Sequence, residues 1–170
     1  MIYRLAEETD ISQMMVMVDQ AKESFKAGGI DQWQKGEPDA RGLAEGIKAG
    51  QVHVLEDQGR VVAMITLAEG DDPSYEQIDG AWLDHSPYTA LHRVCVSQEL
   101  KGGGLAARLF KESEALCLAR GYHSVRVDTH PDNLSMQRAL VKNGYTACGT
   151  LRLIGGSEEG DLRLGFQKLI

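Results

Sequence analysis

The chain has 170 residues, 42% hydrophobic and 25% charged, which suits one soluble domain, 1–170, with a substantial core. Its 18 Lys+Arg against 25 Asp+Glu give a formal charge of -7, which argues against a nucleic-acid partner needing a basic face for phosphates. Cys95, Cys117 and Cys148 form no CxxC pair, and no leader or run of about 18 apolar residues occurs, so no disulfide framework, metal or membrane partner is expected and the location is cytoplasmic.

Residues 2–5, IYRL, read as a first strand. Asp10 is placed to cap a helix with Gln13 reaching back, and Met14, Val18, Ala21 and Phe25 follow at helical spacing until AGG at 27–29. A second helix is expected over 40–48. The runs QVHVLED (51–57) and RVVAMITLAE (60–69), separated by Gln58-Gly59, read as a hairpin. The segment 71–88 is polar, aromatic-bearing and poorly periodic, and reads as a surface excursion more than a binding loop.

LHRVCV (91–96) reads as a strand, followed by a helix with Leu105, Leu109 and Leu116 on one stripe and Gly121 after it. HSVRVD (123–128) is the next strand. A shorter helix carries Met136, Ala139 and Leu140 to Asn143-Gly144, and strands at about 145–153 and 161–169 finish the chain. The fold class is α/β: roughly seven strands and four helices in a mixed sheet. The strands at 91–96 and 123–128 should be parallel across a right-handed crossover.

Lys101-Gly102-Gly103-Gly104 lies between a strand end and a helix start, where unpaired N–H groups and the positive end of the helix dipole converge. Such a place suits phosphate. It is not a P-loop, because the lysine precedes the glycines and no Ser/Thr follows them. GGGLAA fits a dinucleotide fingerprint only with alanine at its last position, and it lies deep in the chain. A tight turn is the simpler alternative.

LHRVCVSQELKGGGLAARLF resembles motif A of the GCN5-related N-acetyltransferase (GNAT) superfamily, an apolar strand followed by [Q/R]-x-x-G-x-[G/A] at the head of a helix. Lys101 stands where Arg or Gln is usual, with Gly104 and Ala106 at the two small positions. VDTHPDNLSMQRALVKNGY resembles motif B, in which Asn133 opens a helix closed by Gly144-Tyr145, and the order of elements agrees along the whole chain.

The resemblance implies the acyl-CoA N-acyltransferase fold, with mostly antiparallel strands and a central parallel pair that splays. It also implies acetyl-coenzyme A as acetyl donor. Backbone groups of Val94, Cys95 and Val96 would pair with the pantetheine arm and hold the thioester carbonyl. The amides of Gly102, Gly103, Gly104, Leu105 and Ala106, with Lys101 at the mouth, would hold the pyrophosphate, and the Asn133 side chain would bond the pantetheine region.

Acetyl transfer needs a neutral amine close to the thioester carbon and a stabilised oxyanion. Strand alternation places His92, Val94 and Val96 on one face and Leu91, Arg93 and Cys95 on the other. His92 resembles the histidine on the corresponding strand of arylalkylamine acetyltransferases, where it helps deprotonate the amine; a structural histidine is the alternative. His130, in HPDN, is a second candidate whose setting looks like turn chemistry. Cys95 has no evident partner and reads as a buried thiol. The family's usual general-acid tyrosine, seven residues after the Asn, is replaced by Leu140, which leaves that role vacant.

In the family, the acceptor is shaped by segments that here contain Phe25, Trp33, Tyr75, Trp82 and Tyr88, with Trp33 in GIDQWQ (29–34) and Tyr88 as the substrate-binding candidates. A buried anchor is the alternative for Trp33. The implied acceptor is a primary amine of a small molecule, amino acid or peptide, attacked directly in a ternary complex by a monomer or homodimer. A non-catalytic acyl-CoA sensor and a site for another nucleotide are the competing expectations.

Overall fold

The computed structural model describes residues 1–170. Its strands are β1 (Ile2–Leu5), β2 (Val52–Asp57), β3 (Arg60–Glu69), β4 (Asp79–Gly80), β5 (Thr89–Val96), β6 (Ser124–Thr129), β7 (Thr146–Arg152) and β8 (Leu162–Leu169). Its helices are α1 (Ile11–Ala27), α2 (Ala40–Lys48), α3 (Pro73–Glu76), α4 (Leu105–Ala119) and α5 (Leu134–Lys142). The strands form one mixed sheet in the order β1-β2-β3-β5-β6-β8-β7-β4. β5 and β6 are parallel, with Thr89, Ala90 and Leu91 opposite Val125, Arg126 and Val127, as the strand, helix, strand unit requires. The hairpin of β2 and β3 and the closing pair β7 and β8 are antiparallel.

The count exceeds the expectation by one strand and one helix, β4 and α3, and both arise in the segment 71–88. That segment runs along the surface, as expected, but it is anchored by its aromatics. Tyr75, Trp82 and Tyr88 are 1%, 9% and 6% exposed and pack with Ala90 and Leu151. Aromatic burial organises a stretch too short and irregular for periodicity to reveal. The Trp82 indole N–H donates to the Tyr75 carbonyl at 2.8 Å, which removes the cost of burying that polar edge.

By backbone proximity the chain divides into two compact units, one of Met1–Leu67 with His92–Glu112, the other of Ala68–Leu91 with Ser113–Ile170. In the first, α1 presents Met14, Met17, Val18 and Ala21 on one stripe to Leu43 of α2 and to Val52, Val54, Val61 and Met64 of the hairpin. Every residue of β3 from Val61 to Leu67 is buried, which explains its unbroken apolar run.

The start of α1 departs from the expected cap. The Asp10 side chain makes no cap bond to α1; its carboxylate accepts from Arg4 at 2.7 and 2.9 Å and from the Glu7 N–H at 2.8 Å. Gln13 reaches across to accept from the Val61 N–H at 3.0 Å. A charge-assisted, two-pronged pair with arginine outcompetes a neutral amide cap for the same oxygens.

In the second unit, Arg126 on β6 is 5% exposed and lies between two rings, 4.3 Å from the centroid of Trp82 and 4.0 Å from that of Tyr88. Its Nη2 donates to the Asp84 carbonyl at 3.0 Å. Gln167 of β8 ties the same neighbourhood together, accepting from the Leu83 N–H and donating to Asp84 and Ser124.

Candidate active site

β5 carries the candidate chemistry. Its first three residues are buried; His92, Arg93 and Val94 are half-buried, Cys95 is 5% exposed and Val96 half-buried. The strict two-face sorting expected of this strand fails at Arg93, whose φ of 53° lies in the left-handed region. A non-glycine residue there costs about 1–3 kcal/mol and turns the strand locally, as a bulge does. The parallel register with β6 runs from Thr89 to Leu91, while β5 itself continues to Val96. Beyond the strand, Ser97 donates its N–H to the Val62 carbonyl at 2.9 Å.

The glycine loop follows a single turn of 3-10 helix at Gln98–Leu100. Gly102 and Gly104 have φ of 83° and 77°, and a Cβ on either would meet nothing within 4 Å. A Cβ on Gly103 would approach the Leu100 carbonyl to 3.1 Å. The turn itself therefore explains why all three are glycine, and the loop's outer side is open. Arg108 donates to the Gly104 carbonyl at 3.0 Å as the ladder of α4 begins, so the N–H groups of Leu105, Ala106 and Ala107 precede the ladder. Lys101 is exposed beside them. This is a backbone cradle of the kind that accepts a phosphate.

Cys95 is no nucleophile in this setting. Burial pushes its thiol up to about 12, only partly offset by the nearby Lys101 charge, and its Sγ donates to the Met17 carbonyl at 3.5 Å.

Asn133 is 8% exposed and caps α5, its Oδ1 accepting from the Met136 N–H at 3.1 Å. Leu140, at the position of the family's tyrosine, is fully buried. Tyr145 is also buried, and its hydroxyl donates to Glu114 Oε1 at 3.0 Å while Lys168 holds Oε2 at 2.7 Å. Burial and the Glu114 carboxylate raise that phenol well above its ordinary range, as befits a core aromatic. The His130 Nδ1 accepts from the Asp132 N–H at 3.1 Å and its carbonyl accepts from the Asn133 N–H at 2.9 Å, which makes HPDN a turn.

The two acceptor candidates differ in setting. Trp33 is half-buried against the first core with φ of 60°, its ring edge-on to Phe25 at 5.6 Å. Tyr88 is buried under Arg126, and its hydroxyl accepts from the Asp72 N–H at 2.8 Å. Trp33, His92, Val94 to Val96 and Lys101 to Ala106 belong to the first unit, Tyr88 and Asn133 to the second. Arg93 and Arg126 are not singled out by the sequence, because an arginine inside an apolar strand carries no periodic signal of its surroundings. The structure has no cluster of three or more His, Cys, Asp or Glu side chains arranged for a metal. No helix is long and apolar enough to cross a membrane.

Residues 16–145 match the profile of the Acetyltransferase (GNAT) family. A GNAT-family acetyltransferase from Streptococcus agalactiae superposes with a TM-score of 0.88 at 31% identity, over 99% of this chain and 95% of that one. A ribosomal-protein-alanine N-acetyltransferase from Brucella melitensis aligns over 100% of both chains with a TM-score of 0.70 at 21% identity. The aminoglycoside 6'-acetyltransferase type Ii has a TM-score of 0.64 at 17% identity, over 99% of this chain and 97% of that one. No curated relative matches the chain at significant similarity.

Proposed function

The chain belongs to the GNAT acetyltransferase family, and we propose that it moves an acetyl group from acetyl-coenzyme A to a primary amine by direct attack. The observation that carries the donor is the open glycine cradle. Two left-handed glycines with no atom within 4 Å of a Cβ stand at the head of a 15-residue helix; the Gly103 N–H is taken up by the Leu100 carbonyl at 3.1 Å, and the N–H groups of Leu105, Ala106 and Ala107, which precede the helix ladder, are the donors proposed for a pyrophosphate. Coenzyme A, when bound, would supply an acetyl thioester: the amine nitrogen would bond to its carbonyl carbon, the C–S bond would break, and the thiolate would leave, taking up through water the proton that the nitrogen sheds.

The residues of this chain divide the remaining work. The main chain of Val94, Cys95 and Val96 aligns the donor by strand-like hydrogen bonds, and an N–H of that stretch receives the developing oxyanion. Lys101 adds positive charge at the mouth of the cradle, and Asn133 adds a side-chain contact to the pantetheine region. His92, next to the turned residue Arg93, takes a proton from the incoming ammonium, directly or through water. Trp33 is the acceptor contact proposed on the first unit, and Tyr88, a candidate on the second, is buried beneath Arg126. The acceptor is a small molecule, an amino acid or a peptide N-terminus. Three free cysteines are in keeping with work in the reducing cytoplasm. A non-catalytic acyl-CoA sensor would be in keeping with the missing family tyrosine, where Leu140 stands, and membership of an enzyme family weighs against it.

The test is an amine panel assayed by release of the coenzyme A thiol. His92→Ala should lower kcat by about 10²-fold with KM for acetyl-coenzyme A unchanged, most visibly at low pH. Unchanged turnover would make His92 structural, and no thiol release with any amine would contradict the transferase reading.

A further inference from the structure

Arg93 is the one arginine of its unit with no hydrogen-bond or ion-pair partner. Arg4 is held by Asp10 at 2.7 Å and Glu56 at 2.8 Å, Arg41 by Glu45 at 3.1 Å and Arg60 by Glu99 at 3.2 Å. Arg108 donates to the Met1 carbonyl at 2.9 Å. Arg93 as a residue is half-buried, and its guanidinium lies near α2 instead. Its Nη2 is 3.6 Å from where a Cβ on Gly42 would stand, and its Nη1 is 3.9 Å from the same point on Gly46. Residues four apart share one face of a helix, so the guanidinium lies along the face that carries both glycines, while the neighbour that requires glycine at 46 is Val52, whose Cγ2 is 2.8 Å from that point. The nearby acid, Asp39, caps α2 by accepting from the Gly42 N–H at 2.8 Å and forms no ion pair with Arg93.

Two unfavourable features thus coincide at this residue. A charged group is partly withdrawn from water without a partner, and its backbone sits in the left-handed region. A chain with 25 acidic residues could have supplied a counterion. Leaving it out keeps a planar, two-pronged donor available beside the strand assigned to the thioester, and a guanidinium matches a carboxylate in that geometry.

We propose that Arg93 recognises a carboxylate on the acceptor, so the substrate is an amine that also carries an acid group, an amino acid or a compound built like one. This rests on the acetyl-transfer reading above. The guanidinium forms a paired hydrogen bond with the carboxylate and orients the amine toward His92 and the thioester carbon. No bond is made or broken at Arg93. Acceptors lacking the acid group lose that orientation.

The test compares each common amino acid with its decarboxylated amine, using wild type, Arg93→Gln and Arg93→Asn, with melting temperature and acetyl-coenzyme A binding as checks of the fold. Asn tolerates the left-handed region, so that variant separates charge from backbone strain. The expected result is at least one amino acid preferred tenfold or more in kcat/KM over its decarboxylated twin. Both variants should erase that preference and leave KM for acetyl-coenzyme A unchanged. Equal use of the twins by wild type would overturn the proposal, as would a rise in KM for acetyl-coenzyme A in both variants, which assigns Arg93 to the donor. If acetyl-coenzyme A binds but no amine is turned over, the transfer reading fails on its own. Phenylglyoxal labelling of Arg93, read by mass spectrometry, then decides: protection by amino acids and not by their twins supports the carboxylate site, and equal labelling removes it.

Discussion

Asp10 illustrates how a single partner changes what a residue does. The Arg4 guanidinium, helped by the Glu7 N–H and opposed by burial, holds the Asp10 carboxyl below the usual carboxylate range. A depressed folded value means that the stabilisation is complete above the unfolded value of about 3.9 and is lost as pH falls through the folded one. Melting temperature should therefore drop on acidification below about pH 4, and Asp10→Asn should flatten that dependence while lowering stability at pH 7. A variant as acid-sensitive as wild type would show that other carboxylates dominate. Cys95 gives a second residue-scale expectation. With its thiol pushed up to about 12, it should resist iodoacetamide at pH 8 in the native protein. Cys95→Ala should retain turnover and cost about 1 kcal/mol, read by urea denaturation. Loss of activity in that variant at unchanged stability would return the thiol to the chemistry.

At the scale of elements, α5 separates a structural role from a binding one. Asn133 caps the helix through its Oδ1, so Asn133→Ala should cost about 0.5–2 kcal/mol, whereas Asn133→Asp keeps an accepting oxygen and most of that stability. Asp has no N–H to offer a pantetheine carbonyl. If the side chain also serves the donor, Asn133→Asp should bind acetyl-coenzyme A more weakly at near wild-type melting temperature, and unchanged affinity would leave the residue as a cap alone. Segments with a clear apolar signal and flanking turn residues are legible in the sequence: α2 occupies 40–48, and the unbroken apolar run of β3 occupies 60–69. The segment 71–88 is not, because Tyr75, Trp82 and Tyr88 lie seven and six residues apart, which fits no single period, and are buried by mutual packing and by Arg126. The cap of α1 misleads for a related reason, since Arg4 approaches Asp10 from β1 and local sequence cannot weigh a partner on another element against a nearby amide.

For the whole molecule, the order of elements is the stronger guide, because a strand, glycine loop and helix followed by a parallel strand restricts the topology more than any one side chain does. The acceptor side is poorly legible. The residues proposed for it, Trp33 and Arg93, are both turned by left-handed backbone, a property no composition records. Whether the cradle at Gly102 to Ala106 receives coenzyme A, as proposed, is read by a thermal-shift titration with acetyl-coenzyme A, coenzyme A, ATP and NAD. A ligand at 100 times its Kd adds about 2.7 kcal/mol to a fold that alone can bind it, which for a chain of this size raises Tm by about 5–10 °C. That rise is expected for acetyl-coenzyme A and coenzyme A, and its loss in Gly104→Val, where a branched side chain enters open space at a left-handed φ of 77° that favours glycine. No shift with either coenzyme A ligand, or an equal shift with NAD, would contradict it.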